Sequence, residues 1–291
     1  MKIDINIFIQ QQLLISTNKK FSIAYISRSI TPIIDKIINT NDNKFLISGS
    51  QGVGKSTLAI IIKLVIEKIY KKKVMILSID DYYLSKNKRN KISKKIHPLL
   101  KTRGVPGTHD INKLRRHINS FNKQKFPIST PKFDKLKDDC SKTLNVVTSA
   151  QILILEGWCC GTSAVEDKYL YKNINKLELN LDKNFVWRKY YNSILKNQYQ
   201  SVFKMFDITI YLKPPSFAYV LKWRTLQEKN NAIKNNQKKL MSKKELSFFI
   251  QHYEKITKWM IKTMPAKANI LINVDSNQNI IFSKKSNYMN A

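Results

Sequence analysis

The sequence is poor in cysteine, acidic residues and glycine, and it lacks any long hydrophobic run. Its three cysteines, Cys140, Cys159 and Cys160, are too few for a disulfide framework and favour a reducing compartment. No stretch approaches the ~18 consecutive apolar residues of a transmembrane helix. The first thirty residues do not show the order of features of a secretory signal peptide. We therefore expect a cytoplasmic globular protein with no membrane partner.

Acidic residues are outnumbered: 20 Asp and Glu stand against 52 Lys and Arg, a net charge of +32. Such a field attracts phosphates, nucleic acid and anionic lipid. However, the excess is mostly lysine spread along the chain, without a block of about five like charges. That even distribution is more typical of an AT-rich coding sequence than of a binding patch. We therefore expect no nucleic-acid partner.

Glycine occurs seven times, whereas average usage of about 7 per cent would give roughly twenty. A chain with so little glycine is expected to keep it where the backbone needs a positive φ or a close approach. The seven glycines fall in three loops: Gly49, Gly52 and Gly54; Gly104 and Gly107; Gly157 and Gly161.

The first glycine loop has the pattern of a phosphate-binding P-loop. The apolar run Lys44–Ser48 leads into Gly49-Ser-Gln-Gly-Val-Gly-Lys-Ser56, and a long apolar-rich segment over 57–70 follows. Strand, loop and helix in this order place backbone N–H groups and one lysine around phosphates, with a hydroxyl for Mg²⁺. The predicted nucleotide-binding residues are Gly49, Ser50, Gln51, Gly52, Val53, Gly54, Lys55, Ser56 and Thr57.

Strand and helix patterns alternate along the rest of the chain. Parallel strands are predicted at Lys44–Ser48, Val74–Ile79, Gln151–Leu155, Asp207–Leu212 and Ala268–Val274. A helix is predicted over Ser22–Asn39, with a break or kink at Pro32. The pattern indicates an α/β protein with a P-loop NTPase fold, in which helices cover both faces of a mainly parallel five-stranded sheet.

Two later strands end in carboxylates. Val74–Ile79 is followed by Asp80 and Asp81, and Gln151–Leu155 by Glu156. Because ligands of open α/β sheets bind beyond the carboxyl ends of the strands, Glu156 is a candidate Mg²⁺ ligand together with Ser56. Small-molecule kinases also need an anionic base near the acceptor hydroxyl. We predict Asp80 for this role, with Asp81 as the alternative; capping of a helix is the structural alternative for each carboxylate.

The second glycine loop carries an arginine in a lysine-dominated chain. Gly104-Val-Pro-Gly107 forms a rigid turn that presents Arg103 on one side and His109-Asp110 on the other. A guanidinium holds a carboxylate through two hydrogen bonds, which a lysine cannot do. The structural alternative is an architectural Arg103, with Asp110 capping a helix over Ile111–Phe121.

Together these segments resemble the D-glycerate 3-kinases of plants, cyanobacteria and fungi. That family belongs to the P-loop kinase group with phosphoribulokinase, uridine kinase and pantothenate kinase. The resemblance spans roughly residues 20–285, and its most discriminating run is Thr102–Asp110. The segments that carry it are Gly49–Thr57, Ser78–Tyr83, His97–Asp110, Pro131–Lys135 and Glu156–Trp158.

The resemblance implies MgATP-dependent phosphorylation of D-glycerate to 3-phosphoglycerate by a single domain, residues 21–285, after an N-terminal extension, residues 1–20. Lys55 and the loop amides would hold ATP, Ser56 and Glu156 the Mg²⁺ ion, and Asp80 would accept the hydroxyl proton. Arg103 would act in catalysis and meet the glycerate carboxylate. The implied acceptor pocket comprises Asp81, Tyr82, Arg103, His109 and Asp110.

The resemblance also implies a helical lid over approximately residues 223–245, with Arg224 as a candidate cation. The family tends to have a second arginine about one turn after the residue that matches Glu228. Here that stretch contains no arginine, and Lys234, Lys238 or Lys239 would have to substitute. Two alternatives stay open: a related kinase with a nucleoside, pantothenate or sugar-acid acceptor, and an ATP-binding regulatory or nucleic-acid-binding protein.

Overall fold

The computed structural model describes the backbone of residues 3–234 and 242–282, and within these ranges the side chains outside 227–234. The helices are α1 (Ile5–Thr17), α2 (Ile23–Ser29), α3 (Thr31–Ile38), α4 (Lys55–Ile69), α5 (Lys86–Lys95), α6 (Ile111–Asn122), α7 (Asp167–Leu170), α8 (Lys176–Leu181), α9 (Val186–Ile194), α10 (Gln200–Phe203), α11 (Phe217–Lys234) and α12 (Lys243–Thr263). The strands are β1 (Lys44–Gly49), β2 (Val74–Ser78), β3 (Ile128–Thr130), β4 (Phe133–Asp134), β5 (Asp139–Cys140), β6 (Asn145–Val147), β7 (Ile152–Gly157), β8 (Ile208–Lys213), β9 (Ile270–Val274) and β10 (Ile280–Phe282). Short 3₁₀ turns cover Ile79–Tyr82, Pro98–Lys101 and Met264–Ala266, and a π-helical turn covers Leu195–Tyr199.

The central sheet, as far as the structure describes the chain, has six strands in the order β10-β9-β8-β1-β7-β2. Strands β9, β8, β1, β7 and β2 are parallel, which confirms the five strands predicted from the sequence. The predicted strand number was wrong by one, because β10 pairs antiparallel with β9 at the edge. β10 has only three residues and follows a polar turn, and so short a segment shows no strand pattern in the sequence.

Each face of the sheet is covered by helices, because successive side chains of a strand point to opposite faces. In β1, Phe45 and Ile47 pack with side chains of α1 to α4. Leu46, between them, packs into the opposite cluster with side chains of α6, α9 and α12. This arrangement confirms the predicted α/β class and leaves the carboxyl ends of the strands as the edge where a ligand can bind.

The N-terminal region packs onto the same core. Residues 1–20 include α1, whose Ile9 and Leu13 are buried in the cluster that contains the inner face of α4. The helix predicted over 22–39 is two helices, with Pro32 in the first turn of α3. A proline is tolerated there because the first N–H groups of a helix have no partner within it.

The predicted lid region, approximately residues 223–245, falls on the C-terminal part of α11 and the first turn of α12. Val220 of α11 packs with Leu246 and Ile250 of α12 in a small apolar cluster. Lys238 and Lys239 lie outside the described residues, as does the side chain of Lys234. Within residues 3–234 and 242–282, every helix is too short or too polar to span a bilayer. A single domain over residues 21–285 stays a prediction.

Candidate active site

The loop between β1 and α4 has P-loop geometry. β1 ends at Gly49, Gly54 caps α4 with a φ of +101°, and Lys55 is the first helical residue. A Cβ added to Gly54 would have no heavy atom within 4 Å, so the loop is open at this point. Open space above the N-terminus of a helix suits an anionic group, because unpaired N–H groups and the helix dipole point to it.

Lys55 is folded back into this loop. Its side chain is buried, and the ammonium donates to the Ser50 carbonyl oxygen at 2.9 Å. Burial lowers the pKa of Lys55, while the carboxylates of Glu156 and Asp80 raise it. Buried polar atoms near Lys55 also lack partners within the described chain: the hydroxyl oxygens of Ser48 and Ser50 and both polar atoms of the Gln51 side chain.

Glu156 lies within β7 rather than after it, opposite Ser78 of β2 and Ile47 of β1. Its side chain is 6% exposed, and one carboxylate oxygen accepts the Ser78 hydroxyl at 2.6 Å. Burial raises the pKa of Glu156, and the Lys55 ammonium lowers it. Ser78 therefore fixes one oxygen of this carboxylate.

Ser56 and Glu156, the predicted Mg²⁺ ligands, both carry oxygen atoms. Ser56 is exposed in the first turn of α4, next to the open loop. A hydroxyl and a carboxylate fit Mg²⁺, which takes oxygen ligands and completes its shell with phosphate and water. In the described part of the chain, no cluster of three or more His, Cys, Asp or Glu side chains could hold a metal ion.

Asp80 and Asp81 both contact the turn that begins at Pro131, in different ways. The Asp80 carboxylate accepts the Lys135 ammonium at 2.7 Å, whereas Asp81 accepts the backbone N–H of Phe133 at 3.1 Å. Burial raises the pKa of Asp80, but Lys135, His109 and Lys55 outweigh it and hold the pKa well below its usual value. Burial raises the pKa of Asp81. The Asp81 carboxylate therefore holds the backbone of Phe133, whereas the Asp80 carboxylate pairs with the Lys135 ammonium.

Arg103 already holds a carboxylate. Its guanidinium pairs with Asp138, which also accepts Arg89 at 2.6 Å. Arg89 is fully buried and donates to three carbonyl oxygens of the surrounding loops. The guanidinium groups of Arg103 and Arg89 each lie 5.6 Å from the centre of the Phe133 ring. A substrate carboxylate at Arg103 would therefore share the guanidinium with Asp138 or displace Asp138 from it.

His109 is buried and presents one unpaired ring nitrogen. Its Nδ1 lies 2.5 Å from the Tyr199 oxygen, which also accepts the Gly107 N–H at 3.3 Å. The ring nitrogen Nδ1 and the Tyr199 hydroxyl therefore share one buried hydrogen bond. The other ring nitrogen, Nε2, is buried without a partner in the described structure. Burial lowers the pKa of His109 to about 3, so the ring is neutral near neutral pH.

The side chains of Asp110 and Tyr82, both predicted to line the acceptor pocket, are engaged in hydrogen bonds within the fold. The Asp110 carboxylate caps α6 by accepting the Lys113 N–H at 2.9 Å, which was the alternative left open from the sequence. The Tyr82 hydroxyl bonds Nδ1 of His117 at 2.7 Å within the core. Neither polar group is hydrogen-bonded to Asp80, Arg103 or His109 in the described structure. Tyr83, next in sequence, stacks on His109 at 4.3 Å.

Arg224 of α11 lies on the site side of the lid region. Its guanidinium is 5.9 Å from the centre of the Phe249 ring, and its charge lowers the pKa of Lys135, which Asp80 raises. Of the other predicted nucleotide-binding residues, Val53 is buried and Thr57 is the third residue of α4.

Six side chains around Asp80 and Arg103 had no role assigned to them from the sequence: Lys135, Arg89, Asp138, Tyr83, Tyr199 and Tyr253. Most of them reach the site only through long-range contacts, as when the Tyr253 hydroxyl of α12 donates to the Arg103 carbonyl oxygen at 2.9 Å. One available signal was Arg89, the single arginine of the lysine-rich helix α5. Another was the turn Pro131–Lys135, which had no assigned role.

A phosphate-binding loop with carboxylates at or just beyond the ends of neighbouring strands is typical of P-loop nucleotide-binding proteins, the class that includes the P-loop kinases. No protein-family model matches the chain. Its relatives include the uncharacterized kinase mug58 of Schizosaccharomyces pombe, 30% identical over 77% of this chain and 86% of that protein. The chloroplastic D-glycerate 3-kinase of Arabidopsis thaliana is 25% identical over 76% of this chain and 48% of that protein.

At this level of identity the chain belongs to the family of P-loop kinases related to D-glycerate 3-kinase, and it is an ATP-dependent phosphotransferase with a hydroxyl acceptor. The resemblance drawn from the sequence is thereby confirmed. The fold agrees: the solved D-glycerate 3-kinase from Cryptococcus neoformans superposes with a TM-score of 0.67 at 23% identity, covering 95% of this chain and 96% of that one.

Proposed function

We propose that this kinase phosphorylates D-glycerate to 3-phosphoglycerate with MgATP. The observation that carries the proposal is the guanidinium of Arg103, paired with the carboxylate of Asp138 on the side of the site where Tyr83 and His109 stack. Burial raises the pKa of Tyr83, Asp80 raises it further, and Arg103 lowers it, so this phenol is near both charges. The proposal places the carboxylate of a small acid at Arg103 and its hydroxyl at Asp80.

In the proposed reaction, the acceptor hydroxyl oxygen forms a bond to the terminal phosphorus of ATP. The bond from that phosphorus to the bridging oxygen breaks, its electron pair leaves with ADP, and the hydroxyl proton passes to Asp80. Lys55 and the loop amides bind the phosphates, and Nε2 of His109, which has no partner in the described structure, contacts the acceptor. When bound by Ser56 and Glu156, Mg²⁺ neutralises phosphate charge.

Asp80 is proposed as the base over Asp81 because Asp81 is committed to the Phe133 N–H. Arg103 is proposed to bind the carboxylate and Arg224 to contribute positive charge from the lid region. The proposal includes a cytoplasmic location, supported by the free thiols of Cys140, Cys159 and Cys160.

The experiment is ADP release from MgATP by the purified protein with D-glycerate, L-glycerate, uridine, pantothenate and ribulose 5-phosphate, with Lys55→Ala as the blank. We expect stimulation by D-glycerate alone, with 3-phosphoglycerate as product. Stimulation by another acceptor would support the kinase activity and contradict D-glycerate as the substrate. Arg103→Lys separates the acceptor classes, because a carboxylate acceptor loses its bidentate partner and a nucleoside does not.

A further inference from the structure

The ammonium of Lys135 pairs with the carboxylate that we propose as the base. Its Nζ lies 2.7 Å from one oxygen of Asp80, and the two side chains are 54% and 31% exposed, respectively. This ion pair is therefore only partly buried, and the long lysine side chain has room to change partner. A buried pair would be fixed by the cost of leaving either charge alone.

The backbone that carries Lys135 is held in place. The Phe133 N–H donates to Asp81, and the Phe133 ring contacts Tyr83 edge to face at 5.2 Å. Asp134 accepts the N–H groups of the two residues after Lys135, at 2.9 and 3.1 Å. The adjacent carboxylates Asp80 and Asp81 thus bind the same turn, one through its lysine and one through its backbone.

The charge of Lys135 reaches the phosphate-binding loop. Asp80 raises the pKa of Lys135 most, and Glu156 raises it as well. Burial lowers the pKa of Lys55, and the charge of Lys135 lowers it further. The Lys135 ammonium, 2.7 Å from Asp80, therefore also acts on the charges of Lys55 and Glu156, the residues proposed to hold the nucleotide phosphates and Mg²⁺.

We propose that Lys135 is a catalytic cation that exchanges partners, holding Asp80 in the free protein and moving to the terminal phosphoryl group of ATP during its transfer. On the phosphoryl group it stabilises charge on the oxygens that do not form or break bonds. Its departure leaves the Asp80 carboxylate to accept the hydroxyl proton. Lys135 itself neither gives nor takes a proton, and the bonds formed and broken are those of the transfer described above.

The test compares wild type, Lys135→Met and Lys135→Arg, with Lys137→Met as the control. Lys137 is an exposed lysine of the same turn. Calorimetry measures the affinity for ADP alone and for ADP with aluminium fluoride, which mimics the transferring phosphoryl group. For Lys135→Met we expect ADP affinity within about twofold of wild type and affinity for the mimic lower by ~10-fold or more, because only the transition state gains this contact. Lys135→Arg should recover part of the loss, and Lys137→Met should match wild type.

Equal affinity of Lys135→Met and wild type for the mimic would overturn the proposal. So would an equal loss for ADP and for the mimic, because it would show a role in ground-state binding or folding. A wild type that does not distinguish the mimic from ADP would overturn it too. The inference rests on the proposed function, but this test needs no acceptor. A selective loss without turnover of D-glycerate would reject the proposed substrate and leave the role of Lys135 intact.

Discussion

Replacement of Gly104 by alanine should destabilise the protein through one well-defined collision. Gly104 has a φ of +142°, a conformation that L side chains rarely adopt, and an added Cβ would overlap the hydroxyl end of the Tyr253 ring. Both backbone polar groups of Gly104 are hydrogen-bonded: the N–H donates to the Thr108 hydroxyl oxygen at 3.0 Å, and the carbonyl oxygen accepts the Trp158 indole N–H at 3.2 Å. Because the loop cannot move away, the ring of Tyr253 must shift.

The cost has three parts. The strained backbone costs about 1–3 kcal/mol. A displaced Tyr253 loses its hydrogen bond to the Arg103 carbonyl oxygen, 2.9 Å long, for about 0.5–1.5 kcal/mol. It also loses its edge-to-face contact with Trp158, at 5.0 Å between ring centres, for about 0.5–1.5 kcal/mol. The expected loss in the free energy of unfolding is about 2–6 kcal/mol.

The assay is urea unfolding of Gly104→Ala beside Gly161→Ala. Gly161 also has a positive φ, +77°, but its Cβ would meet a Thr209 methyl at 3.3 Å, so this control carries the backbone strain without the ring collision. In a Tyr253→Ala background, Gly104→Ala should cost at least about 1 kcal/mol less than in wild type. A Gly104→Ala protein as stable as Gly161→Ala, or an equal cost in both backgrounds, would refute the reasoning.

Four further predictions test other parts of the structure. Asp80→Asn should lower kcat by ~10²–10⁴-fold without changing ADP affinity, whereas Asp81→Asn keeps an oxygen for its backbone contact and most activity; the reverse result would reassign the base. His252 has its pKa lowered by burial to about 4, so the unfolded chain takes up the proton first and stability falls as the pH drops from about 6.5 to 4. In urea titrations at several pH values, His252→Phe should flatten this decline by about 1.4 kcal/mol per pH unit. Arg89→Met should cost about 3–5 kcal/mol in thermal or urea unfolding, because it leaves three carbonyl oxygens without their donor and removes one of the two arginines that pair with Asp138. Ile9→Ala should cost about 2–4 kcal/mol, and an unchanged stability would contradict the packing of α1.

The sequence alone predicted those features that neighbouring residues create together. The P-loop is contiguous from Gly49 to Thr57, so its strand, turn and helix signals reinforce one another locally. The parallel strands were visible because a strand buried on both faces is a nearly continuous apolar run. The same reasoning placed carboxylates at the strand ends, because parallel strands finish at one edge of the sheet.

Tertiary structure decided what distant residues do to one another. Asp80 and Asp81 are equivalent in the sequence, and they differ only because Lys135 and the Phe133 N–H reach them from a turn more than fifty residues away. Arg103 was visible as an arginine in a glycine loop, but its pairing with Asp138 depends on how two loops meet. Composition and periodicity report on local conformation and burial, whereas the partner of a charge is fixed by the packing of the whole chain.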